Sequence, residues 1–138
     1  SSDCVSVETN RLMAFEIDAT DCPDLFPPLA ALAAHCEGKS SIVGVKRLKH
    51  KESNRAFSLA SEFVKLGIEV QLLEDRMVVR GGRVKGAPIT AHNDHRIAMA
   101  CAVAALRSEG KPVIDNPACV SKSYPSFFDD LASIKEKP

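Results

Sequence analysis

The feature that most restricts how this chain can fold is an internal repeat with an offset of about 72 residues. In each copy an alanine-rich segment precedes a Glu-Gly-Lys triplet, at 37–39 and again at 109–111, and an apolar segment that predicts a strand follows. A further helical segment comes after each of these strands. Repetition at a fixed offset is typical of a duplicated supersecondary unit. We therefore predict an α/β fold with repeat units at about residues 10–82 and 85–138.

Hydrophobic periodicity and capping residues assign the elements of both units. We predict Ser53 as the N-cap of the second helix, and Asn93 or Asp94 as the N-cap of the third. The first unit is predicted as strand, helix, strand, helix and hairpin, at 11–17, 27–37, 41–45, 54–66 and 68–80. The second unit lacks the hairpin and is predicted as strand, helix, strand and helix, at 87–90, 97–106, 111–114 and from 125.

The two alanine-rich segments, 28–36 and 97–106, are apolar on nearly every side. A helix of that kind is normally buried, whereas a half-exposed helix keeps one polar face. The pattern predicts helices in the interior of the domain with the sheets outside. The alternative interpretation is that alanine is abundant only because it is a good helix former.

Charge and composition argue against several classes of protein. The 138 residues carry a formal net charge of zero, so no global field attracts nucleic acid. No stretch reaches the roughly 18–20 apolar residues of a membrane span.

Because the chain opens on Ser1 and not on Met, we expect that it is cut from a longer protein. Its five cysteines form no CxxC pair, which predicts reduced thiols and a cytoplasmic location: Cys4, Cys22, Cys36, Cys101 and Cys119.

Four cations stand where strands give way to helices: Lys51, Arg55, Arg96 and Lys122. A helix N-terminus already carries about half a positive charge, so cations there are unfavourable unless an anion binds. Arginine offers a bidentate fork for phosphate or carboxylate, and lysine offers a mobile point charge. Each cation alone is a common surface residue, but together they predict a site for a small molecule with several anionic groups.

Two carboxylates and one histidine near these junctions are candidates for proton transfer: Asp24, Glu52 and His95. Carboxylates in different surroundings can divide acid and base work between them. The alternative is that Asp24 and Glu52 only stabilise helix N-termini. His92 and His95 resemble a metal pair, but no third ligand has a matching spacing, so we interpret His95 as a hydrogen-bond donor or proton carrier.

Four segments in order resemble one known family. Residues 51–55, Lys-Glu-Ser-Asn-Arg, resemble the Lys-Glu-(Ser/Thr)-Asp-Arg signature of the 3-phosphoshikimate 1-carboxyvinyltransferases, or EPSP synthases. Residues 93–99 are similar to the Asn-Asp-His-Arg-Met-Ala-Met segment of that family, and 119–128 to its C-terminal Lys-(Thr/Ser)-(Phe/Tyr)-Pro segment. Pro23-Asp24 lies at the distance before Glu52 that matches the catalytic aspartate of the family.

The resemblance implies the enolpyruvate-transferase fold, built from βαβαββ units with apolar helices inside and sheets outside. Members of the family are about three times longer than this chain and have two similar domains with the active site in the cleft between them. Residues 1–138 resemble the C-terminal part of such a protein. The fragment would therefore hold only part of the active site and be inactive alone, and its partner would be the missing N-terminal portion.

The implied reaction is transfer of the enolpyruvyl group of phosphoenolpyruvate to the 5-hydroxyl of shikimate 3-phosphate, with release of phosphate. It belongs to the shikimate pathway of aromatic amino acid biosynthesis. The family requires no metal or organic cofactor, and nucleic acid and membranes are not expected partners. Glyphosate would occupy the phosphoenolpyruvate site.

The resemblance also implies a role for each candidate residue. Asp24 would accept a proton and face the shikimate hydroxyls, and Glu52 would be the acid–base group at the methylene carbon of phosphoenolpyruvate, with His95 close by. The cations would bind the substrates: Arg55, Arg96 and Lys122 the phosphate and carboxylate of phosphoenolpyruvate, and Lys51 the shikimate 3-phosphate.

Several positions depart from the family pattern, including Lys49-His50 where Arg-Val is common, and two alternatives stay open. Asn54 stands where the family usually has aspartate, and Arg47 stands where some members use asparagine on the substrate. One alternative is a relative of UDP-N-acetylglucosamine enolpyruvyl transferase, which shares the fold and donor but lacks the motifs at 51–55 and 94–96. The other is a non-catalytic anion-binding fragment.

Overall fold

Among the described residues, the fold consists of four α-helices and two sheets. The computed structural model describes residues 6–8 and 10–135, so Cys4 lies outside the described residues. The helices are α1 (Phe26–Ala33), α2 (Arg55–Lys65), α3 (His95–Ala104) and α4 (Phe127–Lys135). The strands are β1 (Glu16–Asp18), β2 (Lys39–Val43), β3 (Glu69–Leu72), β4 (Arg76–Arg80), β5 (Pro88–Ile89) and β6 (Val113–Ile114). Short 3-10 helices span Pro23–Leu25, Val45–Leu48, Ala105–Arg107 and Pro117–Lys122.

The larger sheet has the order β1-β2-β4-β3. Strands β1 and β2 are parallel, and β4 is antiparallel to both β2 and β3. The predicted hairpin is therefore confirmed as β3 and β4. Strands β5 and β6 form a separate parallel pair. Each parallel pair is joined through a helix, α1 in the first case and α3 in the second, as parallel strands require a crossover connection.

The two parallel pairs have the same register. Glu16 lies opposite Ser41, and Pro88 lies opposite Val113, so both partners are displaced by 72 residues. The glycines of the two triplets also match, because Gly38 has φ +99° and Gly110 has φ +93°. Both values are in the region that favours glycine. The two β-α-β segments therefore share their geometry, while the division into units at 10–82 and 85–138 stays a prediction.

The core forms where α1 and α3 pack against each other and α1 packs against β2 and β4. Alanines that are completely buried, such as Ala30 and Ala104, let the two helices approach closely. Cys36 and Cys101 are buried, as their apolar segments predict, and the described cysteines 22, 36, 101 and 119 are all free thiols. Burial is not complete around α1, because Leu32 is 42% exposed. Among the described helices, none is long and apolar enough to cross a membrane.

Several predicted boundaries are wrong by a few residues. The N-cap of α2 is Asn54, not Ser53, and its side chain accepts from the Phe57 N–H. Strand β1 begins only at Glu16, since Met13 forms an isolated bridge. Helix α4 begins at Phe127, after a 3-10 helix that periodicity did not predict. Strand β6 is two residues long and begins at Val113, directly after Pro112.

The end of β4 passes close to the end of α1 at Gly81. A Cβ atom there would lie 1.9 Å from the Cys36 carbonyl oxygen, whereas a Cβ on Gly82 would have nothing within 4 Å. We expect Gly81→Ala to lower the free energy of unfolding by about 2–3 kcal/mol, because backbone must move to make room. Gly82→Ala, the matched control, should stay within about 1 kcal/mol of the unchanged chain. Urea unfolding of both variants measures the difference, and equal midpoints would contradict the close approach.

Candidate active site

Arg55 is at the centre of a carboxylate–cation network formed by Asp24, Lys51, Glu52, Arg55, Asp94 and Arg96. It is the first residue of α2, and its side chain is 1% exposed. Its Nε donates to Asp94 Oδ2 at 3.0 Å and its Nη1 to Asp24 Oδ1 at 3.2 Å. Its Nη2 donates to Glu52 Oε2 at 2.5 Å and to Asp94 Oδ1 at 3.3 Å. The guanidinium fork thus joins three carboxylates from three separate segments.

Asp94 is the residue that anchors Arg55 from α3. It is the N-cap of that helix, and its Oδ1 accepts from the Arg96 N–H at 3.0 Å. Its Oδ2 also accepts from Ser53 Oγ at 3.0 Å. Burial by itself would raise the pKa of Asp94, but the hydrogen bonds and charge of Arg55, together with Ser53 and the Arg96 N–H, hold that pKa below its ordinary value. The sequence predicted Asp94 only as a possible cap.

The lowered pKa of Asp94 makes the free energy of unfolding depend on pH in the acidic range. The stabilisation is present above the ordinary pKa of 3.8 and is lost as the pH falls through the lower value of the folded state, where the unfolded chain binds the proton first. We expect Asp94→Asn to be less stable at neutral pH and to lose less stability between about pH 5 and pH 2. Urea midpoints across this range test the prediction, with Asp129→Asn on the exposed side of α4 as the control. An unchanged acid dependence would contradict it.

Asp24 connects the two β-α-β segments. It lies in the 3-10 helix after β1, and its Oδ2 accepts from Arg96 Nη2 at 3.0 Å. The Nζ atom of Lys51 lies 3.9 Å from Asp24 Oδ1, which also accepts from Arg55. Asp24 thus contacts three cations while remaining half exposed. The carboxylate of Asp24 is thus an anionic group that lies between Lys51, Arg55 and Arg96.

The segments that supply these side chains follow the carboxyl ends of parallel strands. Asp24 follows β1, Glu52 and Arg55 follow β2, and Arg96 follows β5. Ligands of α/β proteins gather at this edge of a sheet. Asp24 and Arg55 thus meet at one edge of the larger sheet, and Arg96 reaches them from the smaller sheet because α3 packs against α1 and α2.

His95 and Lys122 are outside the network. His95 is 6% exposed at the start of α3, and its Nδ1 atom is buried with no hydrogen-bond partner among the described residues. Lys122 is exposed at the end of a 3-10 helix and forms no salt bridge with any residue that the structure describes. Only Asp24, Lys51, Glu52, Arg55 and Arg96 of the sequence-predicted residues are brought into contact.

The pairing of His92 with His95 on a metal is not what the structure shows. His92 Nε2 lies 2.7 Å from Glu62 Oε1, and Glu62 is a buried carboxylate that the sequence did not single out. Burial would raise the pKa of Glu62, but Lys65, the Thr90 N–H and His92 hold it below its ordinary value. Within the described residues, no group of three or more His, Cys, Asp or Glu side chains could hold a metal ion.

Comparison with known proteins gives consistent matches. The sequence model of the family described as EPSP synthase (3-phosphoshikimate 1-carboxyvinyltransferase) matches residues 1–131. A 3-phosphoshikimate 1-carboxyvinyltransferase from Thermococcus kodakarensis is 44% identical over 134 residues, which are 97% of this chain and 33% of the relative. Another from Clostridium acetobutylicum is 49% identical over 119 residues, 86% of this chain and 28% of that protein. The chain therefore spans about a third of the length of the curated relatives it matches.

Solved structures agree on the fold. An EPSP synthase from Acinetobacter baumannii superposes with a TM-score of 0.80 at 30% identity, over 89% of this chain and 30% of that one. The enolpyruvyl transferase NikO from Streptomyces tendae has a TM-score of 0.73 at 25% identity, over 93% of this chain and 29% of the other. The mixed α/β arrangement is that of the enolpyruvyl transferases, and the match covers less than a third of each of these chains.

Proposed function

Because the chain belongs to the EPSP synthase family, we propose that it is the C-terminal part of an enzyme that transfers the enolpyruvyl group of phosphoenolpyruvate to the 5-hydroxyl of shikimate 3-phosphate. Phosphate is the second product. The observation that carries the proposal is the carboxylate–cation network, in which three cations surround one half-exposed carboxylate. Two substrates that together bear two phosphates and two carboxylates match such a site.

The cations are proposed to bind the anionic groups. Arg96 is partly exposed and offers a guanidinium to the carboxylate or phosphate of phosphoenolpyruvate. Arg55 is proposed to bind the same substrate. Lys122, which is exposed at the end of the 3-10 helix that precedes α4, supplies a further cation to it. Lys51 would contact shikimate 3-phosphate. Preorganised cations also stabilise the charge that develops in a tetrahedral intermediate.

The carboxylates are proposed to move the protons. Asp24 takes the proton of the 5-hydroxyl of shikimate 3-phosphate while that hydroxyl oxygen bonds to the central carbon of phosphoenolpyruvate. In the same step protonated Glu52 gives a proton to the methylene carbon. In the second step Glu52 takes a proton back from the resulting methyl group while the carbon–oxygen bond to phosphate breaks. The partial exposure of Glu52 beside Arg55 supports this role, since the carboxyl is accessible from the solvent side. His95, next to Arg96, is proposed as a hydrogen-bond donor to the same substrate.

The chain is proposed to supply only part of the active site. It spans about a third of its relatives, and the remaining anion contacts and the other wall of the cleft would come from an N-terminal portion. We also place the reaction in the shikimate pathway, with glyphosate as a competitor of phosphoenolpyruvate. A cytoplasmic location stays a prediction.

The test is an NMR titration of this chain with shikimate 3-phosphate and phosphoenolpyruvate, with and without the N-terminal portion of the Thermococcus kodakarensis relative. We expect shifts at Lys51, Arg55, Arg96 and Lys122, and phosphate release only in the complemented sample. Complementation with a denatured N-terminal portion is the control. Chemical-shift changes without phosphate release would favour a non-catalytic anion-binding fragment. Turnover with UDP-N-acetylglucosamine as the acceptor would favour a relative of UDP-N-acetylglucosamine enolpyruvyl transferase.

A further inference from the structure

Glu62 is a buried carboxylate that the proposed reaction does not use. It lies on α2, seven residues after Arg55, and its side chain is completely buried. Its Oε1 contacts His92 Nε2 at 2.7 Å, and its Oε2 accepts from the Thr90 N–H at 2.9 Å. Lys65 Nζ donates to both oxygens at 2.8 Å. Each oxygen therefore has two partners, and two of the three donor residues belong to the segment between β5 and α3.

This segment has an unusual backbone. His92 and Asn93 both have φ of +53°, in the left-handed region that residues other than glycine rarely adopt. Such a conformation is strained and persists only where surrounding contacts hold it. The Ala91 N–H donates to Asp115 Oδ1 at 2.6 Å, and the Asp94 N–H donates to the Ala91 carbonyl at 2.9 Å. The turn from 90 to 94 is thus fixed from outside by Glu62 and Asp115.

Helix α2 holds both ends of this turn. Residues seven apart lie on the same side of a helix, two turns from each other. Arg55 binds Asp94 at the end of the turn, and Glu62 binds Thr90 and His92 at its beginning and middle. Both contacts therefore lie on one side of α2, against the segment that leads into α3.

We propose that Glu62 is a positioning residue for the candidate active site. Its carboxylate holds the left-handed turn at His92 and Asn93, and through the turn it sets Asp94, which in turn orients Arg55 and the start of α3. The consequence for substrate binding rests on the proposed function, whereas the consequence for the turn does not. The salt bridge with Lys65 alone does not account for the arrangement, because Glu62 also accepts from the Thr90 N–H and contacts His92.

The first test compares Glu62→Gln with Glu69→Gln. Both remove one negative charge, but Glu69 is an exposed residue of β3 that pairs with Arg80. Amide hydrogen exchange at Ala91 and Arg96 is the decisive measurement, because these N–H groups donate to Asp115 and Asp94 and not to Glu62. We expect exchange at both to accelerate about tenfold or more in Glu62→Gln, the size expected for loss of a charged hydrogen bond.

Two reference signals separate positioning from general destabilisation. The amides of Ile42 and Met77, paired across β2 and β4, should change little in Glu62→Gln. The Arg55 Nε–H resonance should shift, since its acceptor Asp94 moves. Faster exchange at Thr90 alone, or an equal acceleration at every amide, would overturn the proposal.

A second variant covers the case in which Glu62→Gln does not fold. His92→Asn removes the imidazole that contacts Glu62, tolerates the left-handed φ of this position, and leaves Glu62 bound to Lys65 and to the Thr90 N–H. We expect the same pattern of accelerated exchange at Ala91 and Arg96, and unchanged exchange there would overturn the proposal.

Titration with phosphoenolpyruvate separates this inference from the proposed function. We expect the dissociation constant to rise about threefold to tenfold in Glu62→Gln and to stay unchanged in Glu69→Gln. If the unchanged chain, complemented by the N-terminal portion, does not bind phosphoenolpyruvate while exchange at Arg96 still depends on Glu62, the proposed function fails and the positioning role stands. If the unchanged chain binds phosphoenolpyruvate, and both variants have the same dissociation constant and the same exchange rates as that chain, the positioning role fails and the proposed function stands.

Discussion

Replacing Arg55 by methionine is expected to lower the free energy of unfolding by about 3–5 kcal/mol. The reason is that Asp94 is completely buried and has Arg55 as its only charged partner among the described residues. Methionine fills a similar volume but leaves that charge without compensation, and the carboxylates of Asp24 and Glu52 lose a donor as well. Urea unfolding at neutral pH measures the loss.

Two variants show whether the loss comes from the buried pair. Arg80→Met removes an exposed arginine paired with Glu69 and should change the free energy of unfolding by less than about 1 kcal/mol. Adding Asp94→Asn to Arg55→Met removes the unpaired charge, so the double variant should be less destabilised than the sum of the two single variants. Strict additivity would show that Arg55 and Asp94 are not coupled. An equal loss in Arg80→Met would show that the loss does not come from burial of the pair.

Replacing Glu52 by glutamine is expected to lower the turnover of the complemented enzyme about 10²–10⁴-fold, the range that a general acid–base group contributes. Glutamine keeps the shape and can still accept from Arg55, but it cannot give or take a proton at the methylene carbon. The KM for phosphoenolpyruvate should change much less than kcat. Phosphate release gives the rates, and deuterium uptake from solvent into the methylene group reports the proton transfer directly.

The control for this variant is Glu74→Gln, an exposed glutamate that pairs with Lys46. It removes the same charge at a distance from the network and should leave kcat, KM and deuterium uptake unchanged. Unchanged turnover in Glu52→Gln would refute the acid–base role. Loss of turnover with normal deuterium uptake would move the role of Glu52 from proton transfer to substrate binding.

Local patterns were enough to predict most of the elements. Alternation and turn residues predicted the hairpin of β3 and β4, and the alanine-rich segments predicted the buried helices α1 and α3, because periodicity reports directly which side of an element meets the core. Boundaries were less predictable. The N-cap moved from Ser53 to Asn54 because the Ser53 hydroxyl binds Asp94, a partner 41 residues away.

Five of the six members of the network are residues that the sequence singled out, but their contacts were not predictable. Clustered charges at strand–helix junctions indicated an anion site, and the motif at 51–55 indicated a family that the comparisons confirmed. The sequence does not indicate that Arg55 is among the largest fully buried side chains. Nor does it predict that Lys122 stays outside the network while Asp94 lies within it.

What the sequence by itself determined is most of the helices and strands and the 72-residue offset between the two parallel strand pairs, since these follow from periodicity and offset along the chain. What only the tertiary structure decided is which charges are paired. Asp24 meets Arg96 across 72 residues, and Glu62 meets His92 across 30. Whether a charged side chain is exposed or compensated depends on groups brought together by the packing of separate segments, and burial and Coulomb energy depend on distance in space and not on position in the chain.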